Sequence, residues 1–147
     1  MKLISKDVQF VGLQVLLFAA YIFEVRFFDF SLPDWLRYFG LLMSILGILI
    51  GLGAVLQLNK NLSPFPTPKT GSKLIVNGFY AFSRHPIYHA ILLCALGYSV
   101  FSSSIYKGII TIFLFILFTK KSAYEEKLLE NRFKEYKAYK KKTRRFL

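Results

Sequence analysis

Acidic residues are scarce in this chain. Eight Asp and Glu stand against 20 Lys and Arg, a formal net charge of +12 over 147 residues. Cysteine is nearly absent: Cys94 alone cannot form an internal disulfide, and its place inside an apolar run reads as packing. The two histidines, His85 and His89, are spaced i, i+4, but no His-Glu motif surrounds them and two ligands do not complete a metal centre. No metal is therefore expected. Internal repeats are absent, as is the alternation of strand-like and helix-like segments that an open α/β fold requires. Gly47, Gly51 and Gly53 lie inside an apolar stretch with no strand before them, so they lack the context of a dinucleotide loop.

What the chain has in abundance is apolar surface: 54% hydrophobic residues, 16 Phe and a mean hydropathy of +0.43. These residues are gathered into runs. Tyr38 to Asn59 holds 22 residues without a charge, enough to span a bilayer core at about 1.5 Å rise per residue. Val8 to Phe23 holds 16, and Pro86 to Thr119 holds 34 interrupted by His89 and Lys107. The last run folds best as a hairpin broken at Ser102-Ser103-Ser104. The first run follows Lys2 and Lys6 but lacks an Ala-x-Ala site and passes into Glu24, so it reads as an uncleaved helix. The expected fold is all-α: one domain, 1–147, an integral membrane bundle of four transmembrane helices (about 8–28, 37–58, 86–101 and 105–121). A cytoplasmic amphipathic helix, Tyr124 to Lys142, follows, with Leu129, Phe133 and Tyr136 at i, i+4, i+7. Gly47-x-x-x-Gly51 reads as a close helix contact.

Charge gives topology. The first connection, with Glu24, Arg26, Asp29, Asp34 and Arg37, sums to −1. The second carries Lys60, Lys69, Lys73 and Arg84 without an acid, and from Lys120 onward 11 basic residues face four acidic ones. Lys and Arg concentrate on the cytoplasmic side of a membrane. Both termini and the second loop are therefore expected in the cytoplasm, most simply at a cell (inner) membrane. Anionic headgroups account for the basic charge, and nucleic acid is not needed as a partner.

The chemistry concentrates in two segments. One is Leu74-Ile75-x-x-Gly78-x-Tyr80-x-x-x-Arg84-His85-Pro86-x-Tyr88, where a loop enters an apolar run. The other is Glu125-Glu126-x-x-Leu129-x-x-x-Phe133 with Tyr136 and Tyr139. Ionisable groups at a membrane border are costly unless paired or used, and the glutamates can supply charge opposite to Arg84. Pro86 suits the first turn of a helix, which sets Arg84 and His85 where backbone N–H groups favour an anion.

These two motifs with their spacing resemble the isoprenylcysteine carboxyl methyltransferase family, and related phospholipid methyltransferases share much of the pattern. Pro64-Phe65-Pro66-x-Pro68 looks like the small bacterial members. The resemblance runs from Asn61 onward. It implies S-adenosyl-L-methionine as cofactor and methyl transfer to a lipophilic or small acceptor, a carboxylate, thiol or lipid headgroup, at the cytoplasmic face. It assigns Lys73, Leu74, Ile75, Tyr80, His85, Pro86, Ile87, Tyr88 and Glu125 to the cofactor and Lys121 to the acceptor; Glu126 is expected beside Glu125 at the cofactor, and Arg84 and His85 are the expected catalytic residues. Lys121 stands where the prenylcysteine enzymes have arginine, and a lysine lacks the bidentate fork. Ala90 and Lys134 replace glycines common in the family.

Other readings stay open beside this one. Arg84 also suits a headgroup anchor, Tyr80 and Tyr88 suit an interfacial belt, and the glutamates suit a helix N-terminus. A non-catalytic membrane assembly or signalling protein, or a nicotinamide-dependent membrane reductase, would also fit.

Overall fold

The computed structural model describes residues 5–25 and 31–146. Arg26, Asp29 and the predicted end of the first helix at Phe28 lie outside the described residues, as do Lys2 and Leu147. Helices dominate: α1 (Ser5–Ile22), α2 (Asp34–Leu58) with a 3-10 turn (Asn59–Asn61), α3 (Phe79–Phe82), α4 (Pro86–Phe101), α5 (Ile105–Arg132) and α6 (Tyr136–Lys142). No strand occurs among the described residues, where a single bridge pairs Ser83 with Arg144.

The four long helices alternate in direction, so the start of α1, the end of α2, the start of α4 and the middle of α5 share one end of the bundle. Hydrogen bonds tie that end together. Thr67 Oγ1 donates to Asp7 Oδ2 at 2.6 Å, and Lys121 Nζ donates to Gln14 Oε1 at 2.6 Å and to the Pro64 carbonyl at 2.8 Å. The opposite end is closed by Lys107 Nζ on the Tyr21 carbonyl at 3.1 Å, Tyr106 Oη on the Ala20 carbonyl at 3.0 Å, and Arg37 Nε on the Phe101 carbonyl at 3.1 Å. Two of these donors take carbonyls in the last turn of α1, where the helix leaves carbonyls open to other donors; the Ala20 carbonyl also accepts from the Phe23 N–H at 3.2 Å.

Glycines set the closest contact, between α2 and α4. A Cβ on Gly40 would lie 2.6 Å from the Gly97 carbonyl oxygen, and one on Gly47 would lie 2.7 Å from the Cys94 nitrogen. Ser44 Oγ bridges the same interface by donating to the Cys94 carbonyl at 3.1 Å. At Gly51 the approach is looser, 3.3 Å to the Ala90 Cβ. Gly47 and Gly51 thus both serve the close approach, and Gly40 and Gly97 extend the seam. α1 packs on α5, and Leu17, Ala95, Ile110, Leu114, Leu117 and Phe118 form the buried core.

The segment Asp34–Asn61 is long and apolar enough to cross a membrane; its most apolar stretch has a mean hydropathy of 2.5 and is only 22% buried. Pro86–Phe101 is apolar but shorter. The uncovered face of α2 includes Leu42, Ile45, Leu49, Leu52 and Leu56, a continuous apolar surface of the kind that marks membrane or protein contact.

Two boundaries differ from the sequence expectation. The fourth apolar helix does not stop at Lys121: α5 runs on through Glu125 and Glu126 to Arg132. Ser122-Ala123-Tyr124 contains no helix breaker, so nothing interrupts the backbone. The break comes at Phe133, whose extended φ of −117° and ψ of 113° separate α5 from the seven-residue α6. Leu129, Phe133 and Tyr136 still converge on one cavity, though a turn rather than one continuous helix joins them. The first helix ends at Ile22, with Phe23, Glu24 and Val25 outside it.

Candidate active site

A cavity of about 310 Å³ opens at the end of the bundle where α4 begins. Its size is at the lower end of the ~300–1,000 Å³ usual for cofactor and ligand sites. Local chain chemistry builds its entrance. Pro86 occupies the first turn of α4, and His85 caps that helix, its own N–H donating to Ser83 Oγ at 3.3 Å. Gly78, at φ 55°, turns the chain into α3, and a Cβ there would meet the Gln57 side chain at 2.5 Å. Gln57 Oε1 then accepts from the Phe79 N–H at 3.0 Å. The preceding loop is pinned by Asp7 to Thr67, by Lys121 to Pro64, and by Arg132 Nη1 on the Pro68 carbonyl at 3.0 Å.

Of the residues singled out in the sequence, Lys73, Leu74, Ile75, Tyr80, Arg84, His85, Pro86, Ile87, Tyr88, Lys121 and Glu125 all line this cavity. Glu126 does not. Successive helical residues point about 100° apart, so one glutamate faces the cavity and its neighbour turns behind the wall. Glu125 Oε2 accepts from Tyr88 Oη at 2.9 Å and lies 3.8 Å from His85 Nδ1. Glu126 is 1% exposed and sits among cations: Arg84 Nε at 3.0 Å, Arg145 Nε at 3.0 Å and Nη2 at 2.9 Å, and Lys140 Nζ at 3.5 Å. Burial alone would push the Glu126 carboxyl up. The close His85 imidazole, the Arg145 hydrogen bonds and the Arg84 charge together overcome this and hold it well below the ordinary carboxylate range.

Arg84 is largely spent on architecture. Besides Glu126, its Nη1 donates to the Lys140 carbonyl at 2.8 Å and the Thr143 carbonyl at 2.9 Å. A cation here satisfies the unpaired carbonyls at the end of α6 and suits the negative end of that helix.

Rings form a column along one wall. His85 stacks on Tyr88 at 5.4 Å with planes 4° apart, and Tyr88 stacks on Phe118 at 4.7 Å and 5°. Lys121 Nζ stands 5.4 Å from the Tyr88 ring centre. That lysine is 1% exposed and is held by Gln14 and a carbonyl rather than by a carboxylate. Tyr139 Oη donates to the Tyr80 carbonyl, and burial pushes the Tyr139 hydroxyl up to about 12, so it stays a neutral donor. Among the described residues, three cavity-lining side chains carry a buried polar atom without a hydrogen-bond partner: Ser72 Oγ, Tyr136 Oη and His85 Nε2. The last lies 3.3 Å from Glu126 Oε1 but outside hydrogen-bond geometry. All three residues line the cavity, though His85 Nε2 itself is directed at Glu126 behind the wall.

Sequence reasoning did not place Gln14, Pro64 or Phe65 in the site, and it named Tyr136 and Tyr139 within the second motif without giving them a role, yet all five line the cavity. Gln14 carried a readable signal, a polar side chain within an otherwise apolar membrane-length run. His89, one turn beyond His85, is not among the lining residues, and no group of three metal-ligating side chains occurs among the described residues.

Comparison with known proteins extends this picture. No curated protein matches the chain. Among solved structures, the fold is similar to that of the eukaryotic intramembrane Ras methyltransferase ICMT (isoprenylcysteine carboxyl methyltransferase), with a TM-score of 0.73 and 23% sequence identity. The match covers 96% of this chain and 52% of that one, so the chain spans about half the length of that enzyme. The family model for phospholipid methyltransferases matches residues 35–136, which include α2, α4, α5, the cavity's loop wall and both glutamates. The chain belongs to the phospholipid methyltransferase family.

Proposed function

We propose that the cavity holds S-adenosyl-L-methionine, the methyl donor of this family, and that the protein methylates a lipophilic or small acceptor at the cytoplasmic membrane face. The observation that carries this reading is the pairing, in one cavity, of a partly accessible carboxylate, Glu125, with the His85 and Tyr136 side chains and with apolar walls. These groups fit the donor's chemistry: Glu125 for its ammonium or a ribose hydroxyl, the Lys73 segment and Tyr136 for its carboxylate, and Leu74, Ile75, Tyr80 and Ile87 for adenine. Pro86 and Tyr88 shape the turn between these groups, and Glu126 acts from behind by fixing Arg84 and His85.

S-adenosylmethionine, when bound, supplies an electrophilic methyl on a sulfonium. The protein's part is alignment and exclusion of water, which suffices for an acceptor that arrives as a carboxylate or thiolate. Lys121, uncommitted to any carboxylate, faces the acceptor and favours an anionic group near the methylated atom. For an amine or hydroxyl acceptor, His85 is the base on the cavity wall, and Arg84 acts by positioning it.

The membrane reading is a bundle of four spanning helices (α1, α2, α4 and the first half of α5) with the cavity end and α6 in the cytoplasm. Membrane lipids then surround the bundle, and the acceptor reaches Gln14 and Lys121 from the bilayer or its interface. Reporters fused after Lys60 and Lys142 are expected to be cytoplasmic and one at Asp34 external. An external signal after Lys142 would separate the glutamates from Arg84 and end the proposal.

Calorimetry of the detergent-solubilised protein with S-adenosylhomocysteine and, separately, NADPH tests the cofactor. Saturable binding of the first alone is expected. Binding of NADPH alone makes the protein a reductase, and binding of neither makes it a non-catalytic relative.

A further inference from the structure

Residues 143–146 lie against the entrance to α4 along their whole length. Ser83 and Arg144 form a parallel bridge, the Arg84 N–H donates to the Arg144 carbonyl at 2.9 Å, and Thr143 Oγ1 donates to the Ala81 carbonyl at 3.3 Å. Ser83 Oγ donates to the Arg145 carbonyl at 2.9 Å while accepting the His85 N–H, so one buried hydroxyl links Arg145 to His85. The Arg145 side chain grips Glu126 through both carboxylate oxygens, and Glu126 in turn lies 3.3 Å from His85 Nε2. Paired bonds of this kind fix orientation as well as distance. Finally, the Phe146 ring sits 6.3 Å from the His85 ring, tilted 48°, and 6.3 Å from Phe115, against the buried core.

We propose that Arg145 and Phe146 are positioning residues for His85. Neither lines the cavity. Between them they reach the His85 main-chain N–H through Ser83, the Nε2 edge of its ring through Glu126, and the ring itself through Phe146, while Tyr88 stacks on it. This segment sets the ring plane that the cavity presents to its occupant. The proposal rests on the reading of the cavity as a methyl-donor site, and the test separates the two.

The chain contains only two histidines, so histidine-selective ring labelling gives two signals, assignable with His89→Gln. Full-length protein in detergent is compared as wild type, Arg145→Ala, Arg145→Lys, Phe146→Ala and Phe146→Leu. Three readouts are taken: the two ring signals, S-adenosylhomocysteine affinity and thermal unfolding. The alanine variants are expected to broaden or split the His85 signal and leave the His89 signal sharp. They are also expected to weaken S-adenosylhomocysteine about tenfold, the scale of one lost charged contact or ring contact. Arg145→Lys and Phe146→Leu should recover part of both effects with little change in unfolding temperature. An unmoved His85 signal in a folded alanine variant overturns the proposal, as does a parallel loss of both histidine signals and thermal stability in all four variants. A wild type that fails to bind S-adenosylhomocysteine sinks the methyl-donor reading, and the His85 signal then still decides the positioning role.

Discussion

Two faces of α5 meet at the Glu125–Glu126 step and differ in what a carboxylate encounters there. On the cavity face, Glu125 keeps a quarter of its side chain accessible and, among the described residues, accepts a hydrogen bond from Tyr88 alone. On the other face, Glu126 is sealed among two arginines, a histidine and a lysine that bind α4's entrance to α6 and residues 143–146. The difference separates use from support. A carboxylate with spare lone pairs beside a cavity can take a ligand; one whose oxygens are already shared by two guanidinium groups holds walls in place. The same division runs through the Arg84-His85 pair, with Arg84 on the supporting side and His85 bridging both.

The largest expected effect comes from the supporting face. Glu126→Gln keeps the shape but leaves the Arg84 guanidinium, 9% exposed, without its counter-charge. Removing one partner of a buried pair costs about 3–5 kcal/mol, so unfolding in detergent should move down by that amount, with ligand binding lost as a consequence. A Glu126→Gln protein as stable as the wild type would erase the distinction between the two faces. Glu125→Gln should do the reverse: little change in unfolding, and about a ten- to hundredfold weaker S-adenosylhomocysteine complex, from a charged hydrogen bond worth about 1.5–3 kcal/mol. Equal effects of the two substitutions on stability and on affinity would show one undivided cluster.

A second pair on α5 sharpens the comparison. Lys107 and Lys121 are both buried, each near aromatic rings and a carbonyl. Lys107 closes the last turn of α1 between the Tyr21 and Tyr98 rings, whereas Lys121 borders the cavity. Lys121→Ala should lower methyl transfer about tenfold, the scale of one charge-assisted contact, with S-adenosylhomocysteine affinity unchanged. Lys107→Met, which conserves volume, should leave transfer untouched and cost less than about 1.5 kcal/mol in stability. Loss of cofactor affinity in Lys121→Ala would move Lys121 to the donor side of the cavity.

The cavity's lining was legible where it depends on local spacing. The Arg84-His85-Pro86 turn, Tyr88 two residues on, and Glu125 after a hairpin's length of apolar chain stand in the two sequence motifs and line one cavity. Helix positions followed from uncharged runs and from Ser102–Ser104. What stayed hidden was set by partners distant in the chain. Nothing near Glu126 distinguishes it from Glu125, because the residue that claims it, Arg145, lies 19 positions away and the turn it stabilises lies another 42 in the opposite direction. The break at Phe133 was equally silent, since no proline or glycine marks it and tertiary contacts with the cavity choose the extended backbone. Gln14 could have been found by asking which polar side chain an apolar run tolerates.

The smallest expected effect is a pH dependence, and it belongs to the supporting face alone. In the folded protein the Glu126 carboxyl is held well below its ordinary range, whereas in the unfolded chain it titrates near 4.3. Between those values the unfolded state binds a proton that the folded state refuses, so lowering the pH favours unfolding. The contribution is complete above the ordinary carboxylate range and drains away as pH falls through it, at no more than about 1.4 kcal/mol per pH unit for one proton. The groups facing Glu126 are Arg84, Arg145, Lys140 and His85, and the first three keep their charge throughout this window. Stability measured in detergent from pH 6 to about pH 3 should therefore fall more steeply in the wild type than in Glu126→Gln, with Glu125→Gln resembling the wild type. Identical slopes for wild type and Glu126→Gln would mean that Glu126 takes up its proton as easily in the fold as out of it, and the buried cations would then be stabilising something other than its charge.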